Sequence, residues 1–216
     1  MSSPIELDGL DLAALISSRL CHDVISPVGA IINGLEVLEE EKDPEMRDIA
    51  LDLVRKSAAQ ASARLQFARL AFGAAGSAGA QIDTGDAEQV ARGIIGDSKA
   101  ELVWNGPRLL LPKNQVKLLL NLLVIAIASV PRGGTITVNI EGAEPAIAFR
   151  IVTTGPIVRL PAGIADLIAG APEDGRVDAH VIQPFYTGLV ARASGMNVSL
   201  SVADDSALIE ARPAAS

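Results

Sequence analysis

Residues 15–38, LISSRLCHDVISPVGAIINGLEVL, carry a helical repeat with a histidine near its centre. Apolar residues recur at Leu12, Ile16, Leu20, Val24, Ile31, Leu35 and Leu38, in steps of three, four and seven that draw one stripe along a helix and turn it toward a core. Counted from His22 by the same geometry, Asp11, Ser18, Gly29, Asn33, Glu36 and Glu40 share the histidine's side, and all are polar or small. The spacing predicts a solvent-facing imidazole on an amphipathic helix. That helix should start between Asp8 and Asp11, either of which can cap it, and run to about Glu40. Pro27 lies inside it, cannot donate to the carbonyl of Asp23, and is expected to kink the axis one turn after His22.

A second helix should follow at once, with Asp43 as its cap and Pro44 at the first helical position, where a missing N–H costs nothing. Leu51, Val54, Ala58, Ala61, Leu65, Ala68 and Phe72 then alternate in steps of three and four, a heptad seam whose middle is small. Two such alanine-rich stripes cannot bury enough apolar surface against each other to offset the chain entropy they lose. A second copy of the chain solves this, giving a homodimer with a four-helix bundle at its axis. The glycine and alanine tract at 73–80 reads as a linker, dividing the chain into a helical-hairpin domain, 1–75, and a second domain, 81–216.

Composition narrows the function classes. The chain has 216 residues, enough for two small domains, and 26 acidic against 18 basic side chains, a formal net charge of -8 that repels phosphate backbones and argues against nucleic acid as a partner. Cys21, the sole cysteine, has no mate for a disulfide, which fits a reducing compartment, and is expected to be packed and inert. The longest apolar run, 118–130, is interrupted by Asn121 and falls short of the roughly 20 residues a bilayer span needs. The N-terminal segment has neither a basic start nor an apolar signal core. A cytoplasmic protein with no membrane partner is the expectation. No cluster has metal-ligand spacing, no nucleophile, histidine and acid set suggests hydrolysis, and His180, the other histidine, receives no role.

From residue 81 helices and strands alternate. Asp86 with Gln89 forms a capping box for a helix to about Ser98, and residues 101–104 read as a strand. A long apolar helix over 113–130 ends at Pro131, Arg132, Gly133 and Gly134, and the β-rich runs 135–140 and 146–153 form a hairpin. A weak helix near 162–169, a firmer one over 177–194 and strands at 197–202 and 207–211 complete an open sheet covered by helices on one face. The fold class is α+β, a helical hairpin followed by an α/β sandwich.

His22, Asp23 and Pro27 have the spacing H-D-x-x-x-P, which resembles the phospho-accepting histidine box of two-component signalling proteins. Residues 121–138, NLLVIAIASVPRGGTITV, resemble the asparagine box of the histidine-kinase (GHKL/Bergerat) ATP-binding domain, but the second asparagine of that box falls on Ile125, and a branched alkyl group cannot coordinate magnesium. After the strand ending near Val152 the residues are TTGPI, 153–157, with no carboxylate where the adenine-reading aspartate should lie. Thr187, Gly188 and Leu189 match only the end of the glycine-rich phosphate loop, and Gln183, Pro184, Phe185 and Tyr186 before them would obstruct a phosphate cradle. Thr187, Gly188 and Leu189 then read as packed structure rather than residual nucleotide contacts. The order of parts over residues 11–212, the departures, and the stretch IQPFYTGLVARASG at 182–195 resemble the ChpT-type histidine phosphotransferases, dimeric relay proteins whose second domain looks like a kinase domain but does not bind ATP.

That resemblance implies that His22 takes phosphate from the aspartate of a receiver domain on a hybrid histidine kinase and gives it to one or more response regulators, those of a cell-cycle relay. Both receivers bring their own magnesium, and this chain binds no cofactor. Asp23 is the candidate to accept the other ring N–H and orient His22, or is a solvated carboxylate beside the bundle. Arg19 either meets a phosphate oxygen or snorkels along the helix. Ser18, Ser26, Gly29 and Asn33 form a docking floor for the partner or are neutral helix positions, and the second domain is expected to add docking contacts. The competing readings are an ATP-dependent sensor histidine kinase and a receiver-binding module without chemistry.

Overall fold

The computed structural model of the protein describes residues 5–73, 79–96, 98–143 and 145–214. Two long antiparallel helices come first, α1 (Gly9–Glu40) and α2 (Pro44–Ala71). Both start where their caps place them: the Asp8 carboxylate accepts from the backbone N–H of Leu10 and of Asp11, each at 2.8 Å, and Asp43 accepts from Glu45 at 3.2 Å with Pro44 opening the helix. α1 runs helically through Pro27, which is buried. The carbonyl that Pro27 leaves without a helical donor is that of Asp23, and the guanidinium of Arg64 on α2 donates to it through Nη1.

The seam between the helices is narrow and made of small residues. A Cβ on Gly34 would stand 2.6 Å from Val54 Cγ2 and 3.3 Å from the Ala50 carbonyl, so the backbones meet closely there. Ala50, Ser57, Ala61, Ala68 and Ala71 are the buried small residues of α2. Residues 50, 54 and 64 face α1, and the buried side of α2, 50, 57, 61, 68 and 71, lies one residue round from the expected seam at 51, 58, 65 and 72. Leu65, expected inside, is 56% exposed, because the close approach at Gly34 selects small side chains and Arg64 must face Asp23. On α1, Leu35 is also turned out, 47% exposed, and Cys21, expected to be packed, is exposed. Cys21, Ile25, Val28, Ile32 and Leu35 form a second apolar stripe in steps of four and three, left exposed by the described residues. By length and hydropathy α1 would reach across a bilayer. Arg19, His22 and Asp23 at its middle and its packing along α2 describe instead a bundle helix with one apolar side open.

The body follows. β1 (Gln81–Asp83), α3 (Thr84–Ile95), β2 (Ala100–Asn105), β3 (Leu110–Pro112), α4 (Lys113–Ser129), β4 (Gly134–Glu141), β5 (Ala148–Thr154), α5 (Ile164–Ala169), α6 (Ile182–Ala193), β6 (Met196–Ala203) and β7 (Ser206–Pro213) give a five-stranded sheet in the order β2-β4-β5-β7-β6 and a two-stranded β1-β3 ladder. β2 pairs with β4 in parallel and the remaining neighbours are antiparallel. Ile136, Val138, Phe149, Ile151, Ile209 and Ala211 point to the helices on one face, chiefly the buried α4. Gly133 and Gly134 at the turn into β4 have φ of 88° and 151°, and a Cβ on either would lie within 2.4 Å of a backbone oxygen, of Lys99 or of Thr154.

Two helix starts differ from expectation. α3 is capped by Asp83, not Asp86: its carboxylate accepts from Gly85 N–H at 2.7 Å, because β1 pairing with β3 brings the chain into the helix three residues sooner. α6 begins at Ile182 rather than 177, since Asp178 accepts from the N–H of His180 and Val181, at 2.8 and 3.2 Å, and holds the preceding residues in a turn.

Stem and body share a core. Phe67 and Ala71 of α2 are buried with the body's own apolar residues, and Ile5, Leu7, Leu12, Leu15 and Ile16 pack around Leu167, Ile182 and Phe185. The expected boundary falls in 73–80, of which residues 74–78 lie outside the described residues.

Two stability measurements test these contacts. Arg64→Ala should cost about 1–2 kcal/mol in denaturant unfolding by leaving the Asp23 carbonyl unpaired, and distinctly less in a Pro27→Ala background, where the helix supplies its own donor. Gly188 sits in α6 so close to α5 that a Cβ would be 1.9 Å from the Ile168 carbonyl oxygen, so Gly188→Ala should lower stability by about 2 kcal/mol or more in spite of the better helix propensity of alanine.

Candidate functional site

His22 owes its position to helical spacing. Leu20, Val24, Pro27, Ile31 and Gly34, which look toward α2, lie roughly 160° round the helix from it, and the open apolar stripe lies roughly 100° round on the other side. The imidazole is thus on a third, polar side, with 77% of its side chain exposed.

The residues beside it are tied down. The Nε–H of Arg19 is shared between both Asp23 carboxylate oxygens, at 3.1 and 3.0 Å, one turn apart on α1. Its Nη1 donates to the backbone carbonyl of His180 at 3.3 Å. Arg19 is therefore a strap between the stem and the turn before α6, where the sequence allowed a phosphate contact or a snorkelling side chain. Asp23 is held twice, through its carboxylate by Arg19 and through its carbonyl by Arg64. Its Oδ1 lies 3.7 Å from His22 Nδ1, too far for the orienting hydrogen bond expected of it, because the carboxylate is turned to the guanidinium. Ser18 joins Arg19, His22, Asp23, Ala179 and His180 around a cavity of about 290 Å³. Ser26 and Asn33 are exposed and Gly29 half-buried, and a Cβ on Gly29 would have no neighbour within 4 Å, so these three form an open surface beyond His22 rather than part of that cavity.

His180 is the residue the sequence did not offer. Its ring centroid is 6.3 Å from that of His22, with the planes at 76°. Nothing local signals this: His180 has neither the aspartate nor the proline context of His22, and it reaches the stem across 161 positions of sequence from Arg19. The cavity between stem and body, about 360 Å³ and lined by Leu20, Arg64, Phe67 and Ile127 among others, also includes Arg19 and Asp23 in its wall.

The body residues compared with the kinase boxes are packed. Ile125 is 1% exposed. Asn121, fully buried, donates from Nδ2 to the carbonyls of Ala71 at 3.1 Å and Lys117 at 2.9 Å, and receives Gln183 Nε2 on its carbonyl at 2.9 Å and on Oδ1 at 3.1 Å. Gln183 also meets Thr187 Oγ1 at 3.1 Å, and that hydroxyl donates to the Gln183 carbonyl at 2.9 Å. Thr187 and Gly188 are thus packed inside α6, which carries Phe185 into the core. Thr153, which opens the stretch without a carboxylate, is buried with its hydroxyl 2.9 Å from that of Ser129. Tyr186 packs against Phe72 with centroids 5.5 Å apart and planes tilted by 43°, and burial pushes its phenol above the ordinary range. Among the described residues no group of three or more His, Cys, Asp and Glu is placed to hold a metal ion.

Comparison with known proteins bears on what this arrangement belongs to. The family model described as histidine phosphotransferase C-terminal domain matches residues 84–206. The chain is 52% identical over 200 residues to a protein phosphotransferase ChpT of Brucella abortus (strain 2308), covering 93% of this chain and 94% of that one. It also superposes on a bacterial phosphotransferase solved at 1.7 Å, with a TM-score of 0.89 and 48% identity, over 97% of this chain and all of the other. The family model spans more than half of the chain and the ChpT relative matches nearly its whole length, so the chain belongs to the histidine phosphotransferases.

Proposed function

We propose that His22 is the phosphoryl acceptor of a multistep relay, charged from the aspartate of a receiver domain on a hybrid histidine kinase and discharged onto aspartates of one or more response regulators. The observation that carries this is the pairing of an imidazole exposed to solvent with a buried Ile125 where the kinase pattern has its metal-binding asparagine. In the forward step a lone pair on one His22 ring nitrogen attacks phosphorus. The N–P bond forms, the P–O bond to the donor aspartate breaks, and its electron pair leaves on that carboxylate; the proton on the other ring nitrogen stays where it is. Discharge is the same exchange in reverse on a second carboxylate. Such transfers depend on in-line positioning and charge neutralisation. The magnesium comes with the receiver, and on this side the Arg19–Asp23 pair holds the helix surface on which the receiver's aspartate must align.

ATP has no part in this reading, since the side chain where the kinase pattern has its metal-binding asparagine is the buried Ile125, and Gln183 is engaged by Asn121 and Thr187. Ser18, Ser26, Gly29 and Asn33 are the proposed docking floor. The body adds contacts, because a receiver seated on a stem alone would not reach the roughly 800 Å² per partner of a standard interface. The open stripe of Cys21, Ile25, Val28, Ile32 and Leu35, with Met46, Ile49 and Leu53 exposed on α2, is proposed to meet a second copy in a four-helix bundle. The compartment proposed is the cytoplasm.

Incubated with labelled ATP and magnesium, the purified chain should take no label. With a labelled phospho-receiver it should, on an acid-labile, base-stable bond, and His22→Ala should abolish labelling while receiver binding persists. Labelling by ATP alone would favour the kinase reading, and receiver binding without labelling the sequestering module. Light scattering should give the mass of two chains, and Ile25→Lys with Ile32→Lys should reduce it to one.

A further inference from the structure

The turn that carries His180 is built more firmly than an exposed loop residue needs. Its N–H is accepted by Asp178 at 2.8 Å, the next N–H by the same carboxylate at 3.2 Å, and its carbonyl takes Arg19 Nη1 at 3.3 Å. Two bonds on its own backbone and one on the next N–H thus fix the turn around a residue whose ring makes no hydrogen bond among the described residues. What the ring has instead is a place: edge-on to His22, across a cavity of about 290 Å³ walled by both histidines, Arg19, Asp23, Ser18 and Ala179. An edge contact between two exposed imidazoles is worth too little to account for this. The cavity adjoins His22, the side chain proposed to carry the phosphoryl group, and an imidazole keeps at least one N–H whether neutral or protonated.

We propose that His180 donates a hydrogen bond from its ring to a phosphoryl oxygen once the group is on His22, so that the body completes the transfer site on the stem. This rests on His22 being the acceptor. No bond of the transfer is made or broken at His180; it stabilises the phosphorylated state by a charge-assisted hydrogen bond. Its effect therefore falls on how phosphate partitions between His22 and a receiver aspartate.

The test compares the full chain with His180→Ala and His180→Gln, which restores a donor. Each is equilibrated with a phospho-receiver, and the partition and the ³¹P resonance of phospho-His22 are read. The expected result is that His180→Ala shifts the partition away from His22 by about five- to tenfold and moves the resonance, with His180→Gln recovering most of both. A partition within about twofold of wild type and an unmoved resonance overturn the proposal. So does a slower transfer with both of these unchanged, which would make His180 a receiver contact. If the wild-type chain takes no phosphate, or His22→Ala still does, the acceptor reading itself has failed and this inference falls with it; a labelled wild type matched by His180→Ala sinks this inference alone.

Discussion

The amide of Asn121 holds the two halves of the molecule together. Buried in α4, it donates to the Ala71 carbonyl in the last turn of α2, where a helix has acceptors but no donors of its own, and accepts Gln183 from α6. A buried amide satisfied on both sides fixes direction as well as contact, since any shift of α2 against α4 would leave polar groups unpaired in a dry place. The stem therefore leaves the body at one angle, and that angle brings the turn before α6 against the face of α1 that carries His22.

The same arrangement turns polar residues of the body into packing. α4 faces side chains from α6 and the end of α2, and the residues compared with the kinase boxes are packed: Ile125 against the core, Thr187 and Gln183 in a closed hydrogen-bond set, Gly188 against the backbone of α5.

Much of this is written in local signals. The caps Asp8 and Asp43, Pro44 at a helix start, the Gly133-Gly134 turn and the alternating strands of the sheet are short-range effects, and each lies where the chain predicts it. The carbonyl freed by Pro27 was legible too, though not that Arg64 would meet it. What sequence did not show is set by tertiary contact. The α2 seam is turned by one residue because a glycine on the other helix decides which side chains fit. α3 starts early because β1 finds β3, and α6 late because Asp178 captures two N–H groups. At the site His22 stood out through its motif, whereas His180 is defined only by who stands opposite.

The three sides of α1 also bear on how its sequence can drift. One side packs on α2, one is apolar and open, and one carries the histidine with its charged neighbours. Most solvated helices keep a neutral sector where substitutions accumulate at little cost. With the open side covered by the proposed second copy no such sector is left over the turns around residue 22, so this helix should evolve slowly all the way round, as interior helices do.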